Sequence, residues 1–186
     1  MFCNDASISW TGSLPEHQYL LLASNDEGKS FQKRSILPFD VQNRGYGTIC
    51  TLGNNELIAY CYNSGDEYHA DYVLNHDLGR TWDKPKKAYF SKKTRNPQMI
   101  SFGNGYLMHG RSRNTEPDAG NLIIYYSQDG IHWDYGCVLA QCEAGYGAYS
   151  NSMTVCEPDR KRLYIQSSHA YKENKTDIVA WWIDVK

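Results

Sequence analysis

The sequence has little excess charge of either sign and no cysteine spacing typical of a metal site. Its 186 residues contain 19 Lys and Arg against 21 Asp and Glu, which gives a formal net charge of −2. Because no basic stripe is present, neither nucleic acid nor an anionic membrane is expected as a partner. The six cysteines lack CxxC spacing, so we predict no metal and no other cofactor, and mostly buried free thiols.

Membrane-spanning and targeting segments are also missing from the sequence. The longest apolar runs, 19–23 and 178–183, are far shorter than a bilayer span. No basic segment followed by an apolar core opens the chain, so as written it is expected to lack a signal peptide and to be cytoplasmic. Aromatic residues, in contrast, are abundant, with 15 Tyr and 5 Trp. Such side chains often pack against sugar rings, although they also fill β-sheet cores.

A unit of about fifty residues occurs twice in succession, over 44–90 and 94–141. Each unit has two apolar segments joined by a tight turn, LGNNE or FGNGY, then a polar loop, a third segment and a short polar phrase. Gly and Asn tolerate the positive φ of short hairpins, which favours antiparallel neighbours. The pattern therefore predicts four short antiparallel strands per unit, and little helix because no sustained 3.6-residue period is present.

The predicted strands are apolar on both faces. In ELIAYCYN, alternate residues such as Ala59 and Tyr60 point to opposite faces, and both sets are apolar. Such strands must be covered on both sides, which predicts an all-β fold, a β-propeller of four-stranded antiparallel blades. We expect one propeller region of about three and a half blades. Its parts are a partial blade in 1–36, blades in 44–90 and 94–141, and a C-terminal blade in 147–186.

The polar phrase between the third and fourth predicted strands recurs as SNDEGKSF, NHDLGRTW and SQDGIHW. Its aspartate would accept backbone N–H groups, its glycine would adopt positive φ, and its aromatic ring would pack between blades. The phrase resembles the Asp-box (BNR) repeat, SxDxGxTW, of the sialidase (neuraminidase) superfamily of six-bladed propellers. The residues predicted to build these turns are Asp26, Gly28, Phe31, Asp77, Gly79, Trp82, Asp129 and Trp133.

Ligands of propellers usually bind at the other end of the blades, where the first strands begin and the second strands end. Two motifs there add to the resemblance to sialidases, GAYSNSMTV with Tyr149 and LMHGRSR with Arg111. The resemblance implies an exo-α-sialidase-like glycoside hydrolase, in which Tyr149 is the nucleophile and arginines bind the substrate carboxylate. The other residues predicted to bind substrate are Arg113, Arg44, Arg95, Asn96, Tyr62 and His169.

The sequence departs from the sialidase pattern at the general base. Members of the family carry a glutamate where this chain has Asn96, so the base is either absent or supplied from a loop by Glu67 or Glu116. The acid/base aspartate of an early blade has no counterpart. Two functions stay open: a glycosidase acting on terminal sialic acid or a related glycoside, and a non-catalytic carbohydrate-binding or scaffold propeller, or an inactive fragment.

A six-bladed ring needs roughly 300 residues, which is more than this chain provides. The apolar faces of the terminal blades would then be covered either by a second copy, forming a homodimer, or by a missing N-terminal half. The partner predicted for the site itself is a glycan or a small sugar substrate.

Overall fold

A computed structural model of the chain describes residues 2–4, 18–112, 120–142, 149–156, 161–172 and 175–184. These residues form four antiparallel sheets, and none of them lies in a helix. Sheet I contains β1 (Phe2–Asn4), β2 (Tyr19–Ala23) and β3 (Gln32–Leu37), and sheet II contains β4 (Arg44–Gly53), β5 (Glu56–Asn63), β6 (His69–Asn75) and β7 (Lys86–Tyr89). Sheet III contains β8 (Arg95–Phe102), β9 (Gly105–Arg111), β10 (Leu122–Ser127) and β11 (Cys137–Ala140), and sheet IV contains β12 (Ser150–Cys156), β13 (Lys161–Lys172) and β14 (Lys175–Asp184).

The prediction of an all-β fold with four-stranded antiparallel sheets is confirmed. Within each sheet, strands that follow one another in the sequence are also neighbours in space. The β4–β5 hairpin turns at Asn54 and Asn55, whose φ angles are 48° and 68°. Positive φ at both central residues is what a tight two-residue hairpin requires, and Asn adopts it more readily than most residues.

The core lies between the sheets, which pack face to face in chain order. In β5, four consecutive residues, Ile58, Ala59, Tyr60 and Cys61, have no exposed surface although they alternate between two faces. Ile58 and Tyr60 join a cluster with sheet III, whereas Ala59 and Cys61 join a cluster with sheet I. A third cluster, around Leu107, lies between sheets III and IV. Apolar residues on both faces of one strand thus stack three sheets together.

Three Asp-containing turns join β2 to β3, β6 to β7 and β10 to β11. Asp77 accepts hydrogen bonds from the backbone N–H of Thr81 at 3.0 Å and from its hydroxyl at 2.7 Å. These two bonds hold the pKa of Asp77 well below its usual range. Asp26 and Asp129 accept equivalent backbone bonds in their own turns. The turn glycines with positive φ are Gly28 at 86°, Gly79 at 82° and Gly130 at 77°.

The aromatic rings of these turns differ in their packing. Trp82 donates its indole N–H to the Ser35 hydroxyl of sheet I at 2.9 Å, and Trp133 donates to the Tyr60 hydroxyl of sheet II at 3.2 Å. Phe31 is 46% exposed, and its packing between two blades stays a prediction. Each tryptophan packs on the sheet that precedes its own, and no sheet preceding sheet I lies among the described residues.

Cys50, Cys61, Cys137, Cys142 and Cys156 are free, as predicted, but their burial is mixed. Cys61 is buried in the core, whereas Cys137 and Cys156 are exposed, so the prediction of burial is wrong for these two. They lie at the beginning of β11 and the end of β12, outside the clusters between sheets. In the described part of the chain, no helix is long and apolar enough to cross a membrane.

Candidate functional site

The first strands of sheets II and III both begin with an arginine followed by an irregularity in pairing. Arg44 begins β4 and Arg95 begins β8, and the register shifts directly after each of them. Asn96 has a φ of 52°, in the left-handed region that asparagine tolerates better than most residues. Bulges of this kind bend a strand end and redirect its side chains, and they are frequent next to functional sites.

Arg44 is neutralised within sheet II. Its Nε donates to Oδ2 of Asp71 at 2.5 Å, and both side chains are largely buried. The other carboxylate oxygen of Asp71 lies 3.5 Å from Nε2 of His69, whose Nδ1 lies 2.9 Å from Asp66. The guanidinium predicted to bind substrate is therefore already engaged by a carboxylate.

Arg95 joins two other residues that were predicted for the site. Its Nη2 donates to the Tyr62 hydroxyl at 2.9 Å, and its guanidinium carbon lies 5.4 Å from the centroid of the same ring. Its Nε lies 3.2 Å from Oε1 of the buried Glu67, which makes an ion pair. Gly45 leaves room for the Tyr62 ring, since a Cβ at that position would lie 2.7 Å from Cε1. Tyr62, Glu67 and Arg95 thus form one cluster.

Arg111 ends β9 directly opposite Arg95 in the antiparallel register. It is only 4% exposed, yet its Nε and Nη1 have no hydrogen-bond partner among the described residues. Like charges directly opposite each other destabilise a sheet, and buried cationic donors without acceptors carry a further desolvation cost. An anion placed against Arg111 would offset both costs.

Tyr149 covers Arg111 from sheet IV. The guanidinium carbon of Arg111 lies over the tyrosine ring, 4.3 Å from its centroid. The backbone of Tyr149 is held by Ser168, whose hydroxyl accepts from the Tyr149 N–H at 3.1 Å and whose N–H donates to the Tyr149 carbonyl at 3.1 Å. Tyr149 is nevertheless 49% exposed, so a ligand can reach it. The site therefore combines an accessible phenol with a buried cation.

The remaining predicted residues are not part of this cluster. His169 lies in a depression between sheets III and IV, with its Nε2 2.7 Å from the Gln141 carbonyl oxygen. Arg113 and Glu116 lie outside the described residues, so their roles stay predictions. Over the described ranges, no group of three or more His, Cys, Asp or Glu side chains is suited to hold a metal ion.

Two buried residues at this end of the sheets were not predicted from the sequence. Asp71 is an acidic residue inside the otherwise apolar strand β6, which was a signal that it has a charged partner. His109 precedes Arg111 by two residues and so shares its face of β9. Its Nδ1 lies 2.7 Å from the Ser150 hydroxyl oxygen, and burial lowers the pKa of His109 to about 4.

Solved structures share this fold at low sequence identity. A protein of unknown function from Dyadobacter fermentans matches with a TM-score of 0.72 and 14% identity, over 91% of this chain and 46% of that one. NanB sialidase from Streptococcus pneumoniae matches with a TM-score of 0.57 and 14% identity, over 91% and 27%. The α-L-arabinofuranosidase Arb93A from Fusarium graminearum matches with a TM-score of 0.58 and 10% identity, over 89% and 54%.

No protein-family model matches the sequence, and no curated protein matches it. This chain spans about half the length of the Dyadobacter and Fusarium proteins and about a quarter of NanB. The structure shares its fold with these proteins, two of which are a sialidase and an arabinofuranosidase. At these identities the likeness shows the fold alone, and the function must be argued from the site.

Proposed function

We propose that this chain is part of a β-propeller glycoside hydrolase that acts on a sugar carrying a carboxylate next to its anomeric carbon. One observation carries the proposal: the buried Arg111 has two donors, Nε and Nη1, without a partner among the described residues, and it lies beneath the accessible ring of Tyr149. A guanidinium binds a planar carboxylate through two parallel charge-assisted hydrogen bonds, and Arg95 adds a second positive charge directly across the strands.

Tyr149 would act as the nucleophile. Its phenol oxygen would attack the anomeric carbon as the aglycone leaves, and water would then hydrolyse the glycosyl-tyrosine bond with retention of configuration. A neutral phenol suits such a substrate because a second anion next to the substrate carboxylate is avoided. Glu67 or Glu116 would take the phenol proton. Glu67 lies beside Arg95, so it also orients that guanidinium.

The four sheets would be blades of an incomplete propeller, and the three Asp-containing turns would be Asp boxes. The bonds that Asp77 accepts from its own turn support this assignment. The outer face of sheet IV is apolar and uncovered, with Trp182 at 62% exposure. A second copy of the chain or an N-terminal half would cover this face and add the residues that the site lacks.

A second candidate is a carbohydrate-binding propeller without catalysis. Asn96 favours it, because an amide stands where sialidases carry a glutamate base and cannot accept a proton at neutral pH. The ion pair between Glu67 and Arg95 also favours it, since the carboxylate that would take the phenol proton is already engaged by a guanidinium. In this alternative Arg111 and Tyr149 bind the sugar acid but do not cleave its glycosidic bond.

Hydrolysis of fluorogenic sialosides separates the two candidates. We expect turnover by the native chain, its loss in Tyr149→Phe, and full retention in Tyr89→Phe, which alters an exposed tyrosine on the outermost strand of sheet II. Binding of N-acetylneuraminate without turnover, measured by calorimetry, would support the second candidate. Cleavage of a neutral arabinoside but of no sialoside would refute the role given to Arg111.

A further inference from the structure

His109 lies fully buried at the junction of sheets III and IV, directly along the strand from Arg111. Residues 107, 109 and 111 of β9 share one face, and Leu107 at the start of this row packs in the core with Leu163 and Ile165 of sheet IV. The row thus passes from an apolar core, through an imidazole, to the buried guanidinium of the site.

Two contacts connect the same pair of chain segments. On β9, His109 is two residues before Arg111, and at the start of β12 Tyr149 is followed directly by Ser150. His109 Nδ1 is 2.7 Å from the Ser150 hydroxyl oxygen, and Arg111 lies under the Tyr149 ring. Because the two contacts share both backbones, the hydrogen bond sets the distance that the Arg111–Tyr149 contact needs.

We propose that His109 is a positioning residue that, through Ser150, holds Tyr149 in place over Arg111. The catalytic meaning of this role rests on the proposed function, whereas the contact between the two side chains does not. Ser168 holds the backbone of Tyr149 from within sheet IV, so it cannot fix Tyr149 relative to sheet III. The His109–Ser150 hydrogen bond joins the two sheets at the residue next to Tyr149.

The role requires a neutral imidazole. Burial alone lowers the pKa of His109 to about 4, so the ring carries no charge at neutral pH. Its partners across the strands are the uncharged Gln98 of β8 and Ile124 of β10, while Arg111 lies two residues along its own strand, Arg95 at the start of β8 and Tyr149 before β12. A protonated His109 would place a positive charge in a fully buried position between sheets III and IV.

Fluorine NMR of protein labelled with 3-fluorotyrosine tests the position of Tyr149 without any substrate. The Tyr149 resonance is assigned by its loss in Tyr149→Phe. We expect it to move in both His109→Leu and Ser150→Ala, and to return toward the native position in Ser150→Thr, which keeps the hydroxyl. Thr154→Val is the matched control, since it removes a hydrogen bond from β12 to the Ser101 carbonyl of β8 away from the site, and should leave the resonance unchanged.

The same signal reports the charge of His109. In the native protein the Tyr149 resonance should shift as the pH falls toward 4, and in His109→Leu this transition should be absent. An unchanged resonance in folded Ser150→Ala and His109→Leu would overturn the proposal. Ser150 is only partly buried, so Ser150→Ala is expected to fold. If His109→Leu does not fold, the result for Ser150→Ala alone decides the test.

Measuring sialoside turnover distinguishes a failure of the positioning role of His109 from a failure of the proposed hydrolase function. If the native chain hydrolyses a sialoside, Ser150→Ala should lower kcat about tenfold or more with a smaller change in KM, because Arg111 still binds the carboxylate while Tyr149 is misplaced. If the native chain has no turnover, the hydrolase proposal fails, and the NMR experiment still decides whether His109 positions Tyr149.

Discussion

Replacing Arg111 by methionine should raise the free energy of unfolding of the protein and abolish ligand binding at the site. Arg111 is 4% exposed, lacks partners for Nε and Nη1 among the described residues, and lies opposite Arg95. Each buried donor left unpaired costs about 1–3 kcal/mol, and the cross-strand charge repulsion adds up to about 1 kcal/mol. The lost contact with the Tyr149 ring offsets about 1–2 kcal/mol, whereas methionine keeps most of the apolar packing. We expect a net stabilisation of about 2 kcal/mol.

Arg44→Met is the matched control, with the opposite expected sign. Arg44 is also largely buried at this end of the sheets, but its Nε is bonded to Asp71 at 2.5 Å. Removing one partner of a buried ion pair leaves an uncompensated charge and typically costs about 3–5 kcal/mol. Urea unfolding at pH 7 gives both free energies of unfolding. A loss of stability in Arg111→Met as large as that in Arg44→Met would refute the inference that Arg111 is held for a ligand.

Adding a sugar acid to the same urea unfolding experiment tests whether Arg111 binds the ligand. N-acetylneuraminate at ten times its Kd should raise the free energy of unfolding of the native chain by about 1.4 kcal/mol, because it binds only the folded state. The same addition should leave Arg111→Met unchanged. Stabilisation of both proteins by the same amount would show that the sugar acid binds elsewhere.

The remaining predictions concern a titration, a close contact and a buried bond. The pKa of His109 is lowered from 6.5 to about 4, so the unfolded state takes up the proton first as the pH falls. The free energy of unfolding should therefore decrease by about 3 kcal/mol between pH 6.5 and pH 4. Urea unfolding of the native chain and of His109→Leu measures this as the difference between the two proteins. Gly45→Ala should displace the Tyr62 ring and weaken sugar-acid binding several-fold in calorimetry, and binding at native affinity would contradict this. Tyr60→Phe removes bonds to Trp133 and Gly130, and should lower stability in urea by about 1–3 kcal/mol without changing ligand affinity.

The sequence predicts the architecture well because the architecture depends on local patterns. Alternation in β5 places apolar side chains on two faces, and both faces are buried, as at Ala59 and Tyr60. The positive φ of Asn54 and Asn55 follows from turn chemistry. The packing of Phe31 depends on a neighbouring sheet rather than on its own turn, so the pattern of the turn alone does not determine it. Patterns within a strand predict strands, whereas they carry no information on what covers the last sheet of a stack.

The site was harder to predict because its charges pair across the sequence. Arg44, Arg95 and Arg111 look alike in the sequence, and each was predicted to bind substrate. Their difference depends on contacts with residues far away in the sequence that only the folded sheets define, such as Asp71 at 27 positions from Arg44. Burial of His109 depends in the same way on sheet IV, which packs against its face of β9. Candidate residues could therefore be named from sequence, but their charge states and partners could not.

Charge matching among these arginines limits what the site can bind. Glu67 pairs with Arg95 and Asp71 pairs with Arg44, so two of the three guanidinium charges described at this end of the sheets are matched by carboxylates. Arg111 has no carboxylate within ion-pair distance in the described part of the chain. A ligand with a single negative charge would complete the set, and it would have to approach beside the exposed Tyr149 ring, because Arg111 itself is buried. A neutral sugar could accept hydrogen bonds from Arg111 but would not match its positive charge, which is why a carboxylated sugar is the better candidate substrate.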